Sequence, residues 1–392
     1  MEISLDIQTT LPVDSDVATL VGRVWRPDVN GPSVVTLRDG NLFDITAAAP
    51  TVTDLINADD PTTYDRYAVG DDLGPAGPII ANSAADGRDT SKPWLLAPVD
   101  LSALKAAGVT FVGSMLERVI EERAAGDPAA AEEIRRVIMG AIGDNLAAVV
   151  PGSPEAADLK RALLEREMWS QYLEVGIGPD AEIFTKSQPM SAVGTGAEVG
   201  IHPGSSWNNP EPEIVLILGA SGKIVGATLG NDVNLRDFEG RSALLLGKAK
   251  DNNASCSVGP FIRLVDESFR LDDIRNALLS MRVTGDDQFV LNGESSMQRI
   301  SRDIADLAGQ TLGAYHQYPD GAALFTGTAF APTKDRGAPG EGFTHKVGDI
   351  VTISSPKLGA LTNRVITSDK ATPWAFGVSA LMRNLAGRGV LK

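Results

Sequence analysis

The most constraining feature of the sequence is a pair of apolar, β-branched runs joined by a tight turn. The runs are Glu213–Gly219 and Lys223–Gly230, and glycines stand at both ends of the turn, at 219 and 222. Apolar runs of this length on either side of a short glycine-containing loop predict a β-hairpin. Because neither run carries a charged residue in its interior, we predict that the hairpin is buried.

Two carboxylates mark the start of the first run, at Glu211 and Glu213. Side chains alternate between the two faces of a strand, so residues two apart point the same way. Two carboxylates on one face repel each other, and either water or a bound cation must offset that repulsion. An acidic hairpin exposed to water is therefore the alternative to a cation site.

The register of the hairpin adds a third carboxylate. A four-residue loop makes the numbers of opposed residues sum to 441, which pairs Asp232 with Asn209. Asn209 precedes Glu211 by two residues and shares its face. Because neighbouring positions on paired strands lie roughly 5–8 Å apart, we predict that Glu211, Glu213 and Asp232 reach one ion.

Three oxygen ligands without histidine or cysteine suit Mg²⁺, Mn²⁺ or Ca²⁺ rather than zinc. Cys256 is the single cysteine of the chain, and its three histidines are His202, His316 and His345. The sequence therefore excludes a disulfide within the chain and any multi-cysteine metal centre.

The charge balance limits the partners. The chain has 392 residues, with 35 Lys and Arg against 51 Asp and Glu, and its net charge is −16. This balance argues against a nucleic-acid or membrane-surface partner. The N-terminus lacks the basic and apolar regions of a signal peptide, and no apolar run approaches the roughly 20 residues of a membrane helix. We predict a soluble, cytoplasmic, globular protein of one large or two smaller domains.

The chain changes character along its length. We predict a small N-terminal domain over residues 1–97 and a second domain over 98–392. In the first, Asp39-Gly40 between apolar runs predicts a hairpin, and Asn57–Lys92, dense in Asp, Gly and Pro, is typical of a loop or linker.

Four stretches have helical patterns. They are Phe111–Ala125, Asp127–Val150, Pro154–Leu173 and Ser295–Gly313. The second and third of them make up a helical insertion around residues 125–175.

Four motifs occur in an order that resembles the fumarylacetoacetate hydrolase superfamily. They are E-x-E at Glu211–Glu213, N-D-V-x-x-R-D at Asn231–Asp237, a Gly-Lys pair at 247–248, and T-G-T at Thr326–Thr328. Together they cover roughly residues 98–392. One such motif is weak evidence, but four in register are specific.

A closer resemblance is to the branch that dehydrates 2-keto-3-deoxy-D-xylonate or D-arabinonate. It rests on the E-I-F-T-K stretch at Glu182–Lys186, the W-x-x-P-E-P-E run from Trp207, and the long helical stretch before Glu182. Hydrolases of the superfamily carry an N-Y-x-x-H motif whose histidine helps to activate water. The matching stretch, Thr110–Ser114, has neither the Asn nor the His, which favours dehydration.

The resemblance implies an α+β fold, a β-rich mixed-sheet roll with flanking helices and a small N-terminal domain. It implies Mg²⁺, with Mn²⁺ as an alternative, held by the residues Glu211, Glu213 and Asp232. It also implies a homodimer or homotetramer.

The resemblance further implies that Lys248 and Glu182 are catalytic. We expect Lys248 to take a proton from C3 and Glu182 to protonate the departing C4 hydroxyl, and the reverse division stays open. The remaining predicted contacts to substrate or to the metal shell are Lys186, Thr326, Gly327, Thr328 and Ser114. For Lys186, an ion pair with the carboxylate cluster is the alternative.

The sequence thus predicts Mg²⁺-dependent dehydration of a small-molecule sugar acid. The substrate would be a 2-keto-3-deoxy-D-pentonate, and the product 2,5-dioxopentanoate, in non-phosphorylative pentose catabolism. One alternative is a metal-dependent hydrolase or decarboxylase of an acylpyruvate or 2,4-diketo acid, which would release a smaller fragment such as pyruvate. Another is a non-catalytic cation-binding protein, which would keep the three carboxylates but would not need Lys248 or Glu182.

Overall fold

The structure is a computed structural model with an α+β fold, in agreement with the predicted class. It describes residues 2–125, 127, 130–131, 133–135, 149–165, 167–337 and 342–391. Most of the helix predicted over 127–150 lies outside the described residues.

The strands of the described residues are numbered in chain order. They are β1 (Leu20–Arg26), β2 (Gly31–Arg38), β3 (Asn41–Asp44), β4 (Asp71–Pro75), β5 (Trp94–Leu96), β6 (Ala103–Ala107), β7 (Ile183–Ser187), β8 (Glu198–Ile201), β9 (Asn208–Asn209), β10 (Pro212–Leu218), β11 (Ile224–Asp232), β12 (Asn234–Leu235), β13 (Cys256–Leu264), β14 (Leu278–Thr284), β15 (Val290–Ser296), β16 (Ala322–Phe325), β17 (Ile350–Ser355) and β18 (Gly359–Thr367).

The helices of the same residues are mostly short. They are α1 (Ile7–Thr10), α2 (Val52–Ile56), α3 (Pro61–Tyr67), α4 (Ala76–Ala81), α5 (Val112–Arg123), α6 (Pro154–Glu165), α7 (Gln171–Ile177), α8 (Arg236–Glu239), α9 (Leu246–Lys250), α10 (Leu271–Arg275), α11 (Ile304–Thr311) and α12 (Val378–Gly387).

Two mixed sheets form the body of the fold. The larger has the order β4-β3-β2-β1-β13-β11-β10-β16-β6-β7, with β5 also paired to β1, and the smaller has the order β15-β14-β17-β18-β8. Most neighbours are antiparallel, but β16 and β6 are parallel, as are β18 and β8. The hairpin β10–β11 therefore lies inside the larger sheet, between β16 and β13.

Alternate side chains of β10 enter two different cores. Ile214 and Leu216 belong to the core that they share with strands of the smaller sheet, such as β14 and β17. Val215 and Ile217 face the other side, where they pack in one cluster with residues of α2. Because both faces are covered, every residue of β10 is buried, as the apolar pattern predicts.

The register of the β10–β11 hairpin differs from the prediction. Pro212 pairs with Asn231 and Ile217 with Gly226, so opposed numbers sum to 443 rather than 441. A bulge at Leu218 shifts the pairing beside the turn, a feature that the simple four-residue loop did not include.

The error leaves the predicted face intact. Side-chain direction repeats every two residues along a strand, so a shift of two keeps the same side chains together. Asp232 lies beside Glu211 and not opposite Asn209. The backbone N–H of Asp232 donates a hydrogen bond to the carbonyl of Glu211 at 3.1 Å.

Two local predictions are wrong in part. Residues 57–92 are not simply a loop, because they include α3, β4 and α4. Helix α3 begins at Pro61, and the side chain of Asp60 caps it by accepting a hydrogen bond from the N–H of Thr63. In the stretch 295–313, Met297–Arg299 form a short 3-10 helix, and the α-helix begins only at Ile304, after the cap residue Asp303. The hairpin at Asp39-Gly40 is confirmed, with φ of 49° and 78° at these two residues.

Residues of the predicted N-terminal domain join the larger sheet. Strand β1 pairs with β13 as well as with β2 and β5. The division into 1–97 and 98–392, with its helical insertion around 125–175, stays a prediction.

We predict that Gly230→Ala destabilises the protein by about 1–3 kcal/mol. Gly230 pairs with Glu213, and a Cβ there would lie 2.5 Å from Val215 Cγ2 and overlap the ring of Phe325. Chemical denaturation with unchanged slope would measure the loss. Gly309→Ala in α11 is the control, because nothing lies within 4 Å of its Cβ position; equal stability of the two variants would contradict the prediction.

Candidate functional site

Three carboxylates meet where the central hairpin ends. Glu211 and Glu213 stand on either side of Pro212, at the start of β10, and Asp232 is the last residue of β11. Their ligand oxygens all lie within 4.8 Å of one another. The three side chains are almost completely buried, so the exposed acidic hairpin is excluded.

Burial makes this arrangement costly for the charged forms. Burial, followed by repulsion from Asp232 and Glu211, raises the pKa of Glu213 well above its ordinary value. Burial acts in the same direction on Asp232, but the ammonium groups of Lys186 and Lys250 outweigh it and lower the pKa of Asp232. The cluster thus needs positive charge to stay ionised.

Besides Lys186, two cationic side chains contact the cluster from outside the hairpin. Nζ of Lys250, at the end of α9, lies 2.5 Å from Glu211 Oε2 and 3.1 Å from Asp232 Oδ2. Arg118 of α5 donates to Glu211 Oε1, and its Nη1 lies 3.0 Å from Glu239 Oε2. Each of these cations comes from an element distant in sequence.

Acidic side chains still outnumber cationic ones around the adjoining cavity. Five carboxylates and two cations are among its lining residues, which include Glu182, Glu211, Glu213, Asp232, Glu239, Arg118 and Lys250. Buried carboxylates in excess, with their oxygens converging, fit a hard divalent cation. The residues present would supply three oxygen ligands, and the remaining ligand positions of such an ion would be left for water or a chelating ligand.

Two further acids of the cavity have raised pKa values. Burial is the main cause for Glu182, whose pKa is raised although Arg118 and Lys250 oppose the shift. Burial also raises the pKa of Glu239 to about 7, against the charge of Arg118. Glu182 lies directly against Gly108, where any Cβ would overlap its carboxylate.

Lys248 does not reach this site. It is exposed, and its Nζ lies 5.3 Å from the centre of the Phe238 ring. Residues two apart on a helix point about 200° apart, so Lys250 facing inward turns Lys248 outward. The Gly-Lys pair therefore lies on a helix that contacts the cluster, but the contact is made by Lys250 and not by Lys248.

Of the predicted contacts, Ser114 and Thr328 line the cavity. Ser114 Oγ donates to the carbonyl of Thr328 at 2.6 Å. The N–H of Gly327 donates to Glu213 Oε2 at 2.7 Å, and Thr328 Oγ1 lies 3.4 Å from Glu213 Oε1. This loop positions a carboxylate through its backbone as well as lining the cavity.

The other two predicted contacts are enclosed by protein. Thr326 is fully buried, and its hydroxyl donates to the carbonyl of Ile214 at 3.0 Å. Lys186 is also fully buried, with Nζ 2.9 Å from Asp232 Oδ1. For Lys186, the geometry agrees with the alternative of an ion pair to the cluster.

Three residues of the cavity, Lys250, Arg118 and Glu239, were not among the site residues predicted from the sequence. For the first two, the helical pattern of the sequence contains a signal. Lys250 follows the apolar Leu246 by four residues and so shares its helical face, whereas Lys248 does not. Arg118 follows Ser114 by four residues, which puts both on one face of α5. Glu239 has no comparable signal, because its burial depends on contacts with α5.

The fold and the site define an α+β protein with a buried cluster of three carboxylates, able to hold a divalent cation, at the end of a central hairpin. The model of the fumarylacetoacetate (FAA) hydrolase C-terminal family matches residues 165–366. The chain belongs to this family.

Named relatives are similar over part of their length. The chain is 30% identical over 203 residues to a probable 2-keto-3-deoxyxylonate dehydratase of Haloferax volcanii, covering 52% of this chain and 66% of that protein. It is 32% identical over 194 residues to the 2-dehydro-3-deoxy-D-arabinonate dehydratase of Saccharolobus solfataricus, covering 49% of this chain and 60% of that protein. The matched region thus spans less than two thirds of each curated relative.

A solved structure has the same fold over most of both chains. It is 2-keto-3-deoxy-D-arabinonate dehydratase complexed with magnesium and 2,5-dioxopentanoate, with a TM-score of 0.60, 20% identity, and coverage of 89% of this chain and 99% of that one. This likeness supports the predicted β-rich mixed-sheet roll.

Among the helices of the described residues, none is long and apolar enough to cross a bilayer.

We predict that Glu213→Gln has opposite effects with and without a divalent ion. Without the ion, the variant is more stable than the wild type, because it removes a buried charge that its neighbours repel. With Mg²⁺, its ion affinity falls at least about tenfold, because an anionic ligand is lost. Thermal unfolding in EDTA and isothermal titration with MgCl₂ measure the two effects.

The exposed Glu267, whose side chain is 86% accessible, provides the control. Glu267→Gln should change neither the unfolding temperature nor the Mg²⁺ affinity. Wild-type Mg²⁺ affinity in Glu213→Gln would show that this carboxylate is not a ligand.

Proposed function

We propose that the protein is a hydro-lyase that converts a 2-keto-3-deoxy-D-pentonate into 2,5-dioxopentanoate and water, with Mg²⁺ as its cofactor. The observation that carries the proposal is one cavity in which a three-carboxylate cation site adjoins both Lys250 and Glu182. A β-elimination from a 2-keto acid needs these parts: charge stabilisation at the ketone, a base and an acid.

The comparisons support the choice of substrate. Two relatives near 30% identity are named as dehydratases of 2-keto-3-deoxy-pentonates, and the solved structure with the same fold contains magnesium and 2,5-dioxopentanoate. The predicted homodimer or homotetramer, the cytoplasmic location and the role in non-phosphorylative pentose catabolism belong to the same proposal.

Glu211, Glu213 and Asp232 would hold the Mg²⁺. When bound, the ion supplies a Lewis acid that polarises the 2-keto group and favours negative charge on its oxygen. The protein binds the substrate's carboxylate end beside this cluster. Ser114 and Thr328 form part of the wall there.

The surroundings of Lys250 and Glu182 favour one division of their roles. Burial lowers the pKa of Lys250, but the charges of Asp232, Glu211 and Glu239 outweigh burial and raise this pKa above its ordinary value. The side chain is therefore protonated and has a proton to donate. Burial raises the pKa of Glu182, which makes its carboxylate a stronger base than an exposed glutamate. We therefore assign the C3 proton to Glu182 and protonation of the leaving C4 hydroxyl to Lys250.

The remaining steps conserve all five carbons. Loss of the C3 proton and of the C4 hydroxyl as water leaves a C3=C4 double bond conjugated with the ketone. Transfer of a proton from C5 to C3 then gives a C4=C5 enol, which becomes the C5 aldehyde. The walls of the cavity around Glu182 limit access of water during these steps.

We predict that Lys250→Met abolishes turnover and that Lys248→Met does not. Lys250 contacts two of the cluster carboxylates, whereas Lys248 is exposed on the same helix. Loss of a positioned proton-transfer group costs roughly 10²–10⁴-fold in rate. The assay incubates each protein with 2-keto-3-deoxy-D-xylonate and with the D-arabinonate isomer, with MgCl₂ or EDTA, and resolves products by mass spectrometry.

Metal-dependent loss of one water to a five-carbon dioxo acid is the expected product. Release of pyruvate from an acylpyruvate would instead assign the hydrolase activity. An inert wild-type protein that still binds Mg²⁺ would favour the non-catalytic cation-binding protein. Equal activity of the two lysine variants would overturn the role of Lys250.

The division of roles predicts different exchange behaviour in D₂O. Lys250→Met should still exchange C3 protons of the substrate for deuterium, because Glu182 remains as the base, but it should not release water. Glu182→Gln should lose the exchange itself. Proton NMR of the C3 signals measures both, and the opposite pattern would assign the base to Lys250.

A further inference from the structure

Each of the three cluster carboxylates has one oxygen contacted by a donor other than Lys250, whose Nζ contacts Oε2 of Glu211 and Oδ2 of Asp232. For Glu213 the donor is the N–H of Gly327, at 2.7 Å from Oε2. For Glu211 it is the guanidinium of Arg118, which bonds Oε1. For Asp232 it is Lys186, at 2.9 Å from Oδ1. These contacts hold one oxygen of each carboxylate in place.

Lys186 is the most tightly enclosed of these donors. Its side chain has no exposed surface. Besides Asp232, its Nζ contacts the carbonyl of Lys250, and it lies 3.4 Å from both the carbonyl of Val233 and Ser255 Oγ. Oxygens already surround the ammonium, and Lys186 is not among the residues that line the cavity, so it is not placed to contact a substrate.

These contacts join two parts of the site that are distant in sequence. Lys186 contacts the side chain of Asp232, at the end of β11. It also contacts the carbonyl of Lys250, the last residue of α9. Carbonyls at a helix end lack partners within the helix, and a cation there is favourable. Removing the Lys186 ammonium would leave Asp232 Oδ1 without its ion-pair partner, while Lys250 would still contact Oδ2.

The number of oxygens that a carboxylate offers bears on which cation it prefers. Mg²⁺ requires near-octahedral geometry with short bonds, and it takes one oxygen from each carboxylate. Ca²⁺ accepts six to eight ligands and commonly takes both oxygens of a carboxylate. A carboxylate with one oxygen held in place is therefore suited to the smaller ion.

We propose that the donors that hold these oxygens set the cation selectivity of the cluster, and that Lys186 is the positioning residue that restricts Asp232 to one ligand oxygen. Arg118 does the same for Glu211. The inference rests on the cation site of the proposed function, but not on its substrate or its chemistry.

The test compares ion binding by the wild type and by Lys186→Met, using isothermal titration with MgCl₂ and, separately, with CaCl₂. Methionine keeps the length of the side chain but removes its ammonium. The ratio of the Ca²⁺ affinity to the Mg²⁺ affinity should rise by about tenfold or more, the scale of effects from groups that orient metal ligands. An unchanged ratio would overturn the proposal.

Lys105 supplies a matched control. It is another buried lysine, on the neighbouring strand β6, but its Nζ donates to Thr185 Oγ1 at 3.0 Å and lies 5.5 Å from the centre of the Tyr318 ring. Lys105→Met should leave the affinity ratio as in the wild type. A shift equal to that of Lys186→Met would mean that loss of any buried lysine relaxes the site, and would overturn the specific role of Lys186.

Arg118→Met tests the same idea at a second carboxylate and decides the matter if Lys186→Met does not fold. Its ratio should shift toward Ca²⁺ in the same direction, and an unchanged ratio would overturn the proposal. The titrations contain no substrate, so a failure of the proposed reaction leaves them interpretable. Absence of binding of either ion to the wild type would instead overturn the cation site itself.

Discussion

Repulsion among three buried carboxylates is the constraint on which the rest of the site depends. The hairpin places Glu211, Glu213 and Asp232 on one face because strand geometry leaves no alternative once the apolar core fixes its orientation. Their side chains are almost completely buried, so the charge must be offset by protein cations, protons or a bound ion. Arg118, Lys186 and Lys250 meet part of that requirement.

Much of the fold follows from local pattern. The paired apolar runs predict the central hairpin because neither run offers a face to water. The grouping of the three carboxylates follows from the alternation of side chains along a strand, which repeats every two residues. The bulge at Leu218 changes which residues are paired but not which face their side chains share, so the grouping was predicted correctly in spite of the wrong register. A shift of one residue would have sent Asp232 to the opposite side of the sheet.

The cationic half of the site was harder to predict, because its members come from separate elements. Lys250 and Lys248 differ by two residues, and only the orientation of α9 decides which one faces the carboxylates. Motif spacing does not contain that orientation, whereas the helical face shared by Leu246 and Lys250 does. The burial of Glu239 depends on Arg118, more than a hundred residues earlier, so no local pattern could reveal it.

The charges of the site therefore act as a link between distant parts of the chain. Arg118 comes from α5, Lys186 from β7 and Lys250 from α9, and all three contact the carboxylates of a hairpin to which none of them belongs. Leaving one partner of a buried ion pair alone is costly, so the cluster favours the assembly of all these elements together. The same contacts that stabilise this assembly also fix the direction of each carboxylate oxygen. Stability and ligand geometry are consequently properties of one network, in which a change of partner at Asp232 must alter both.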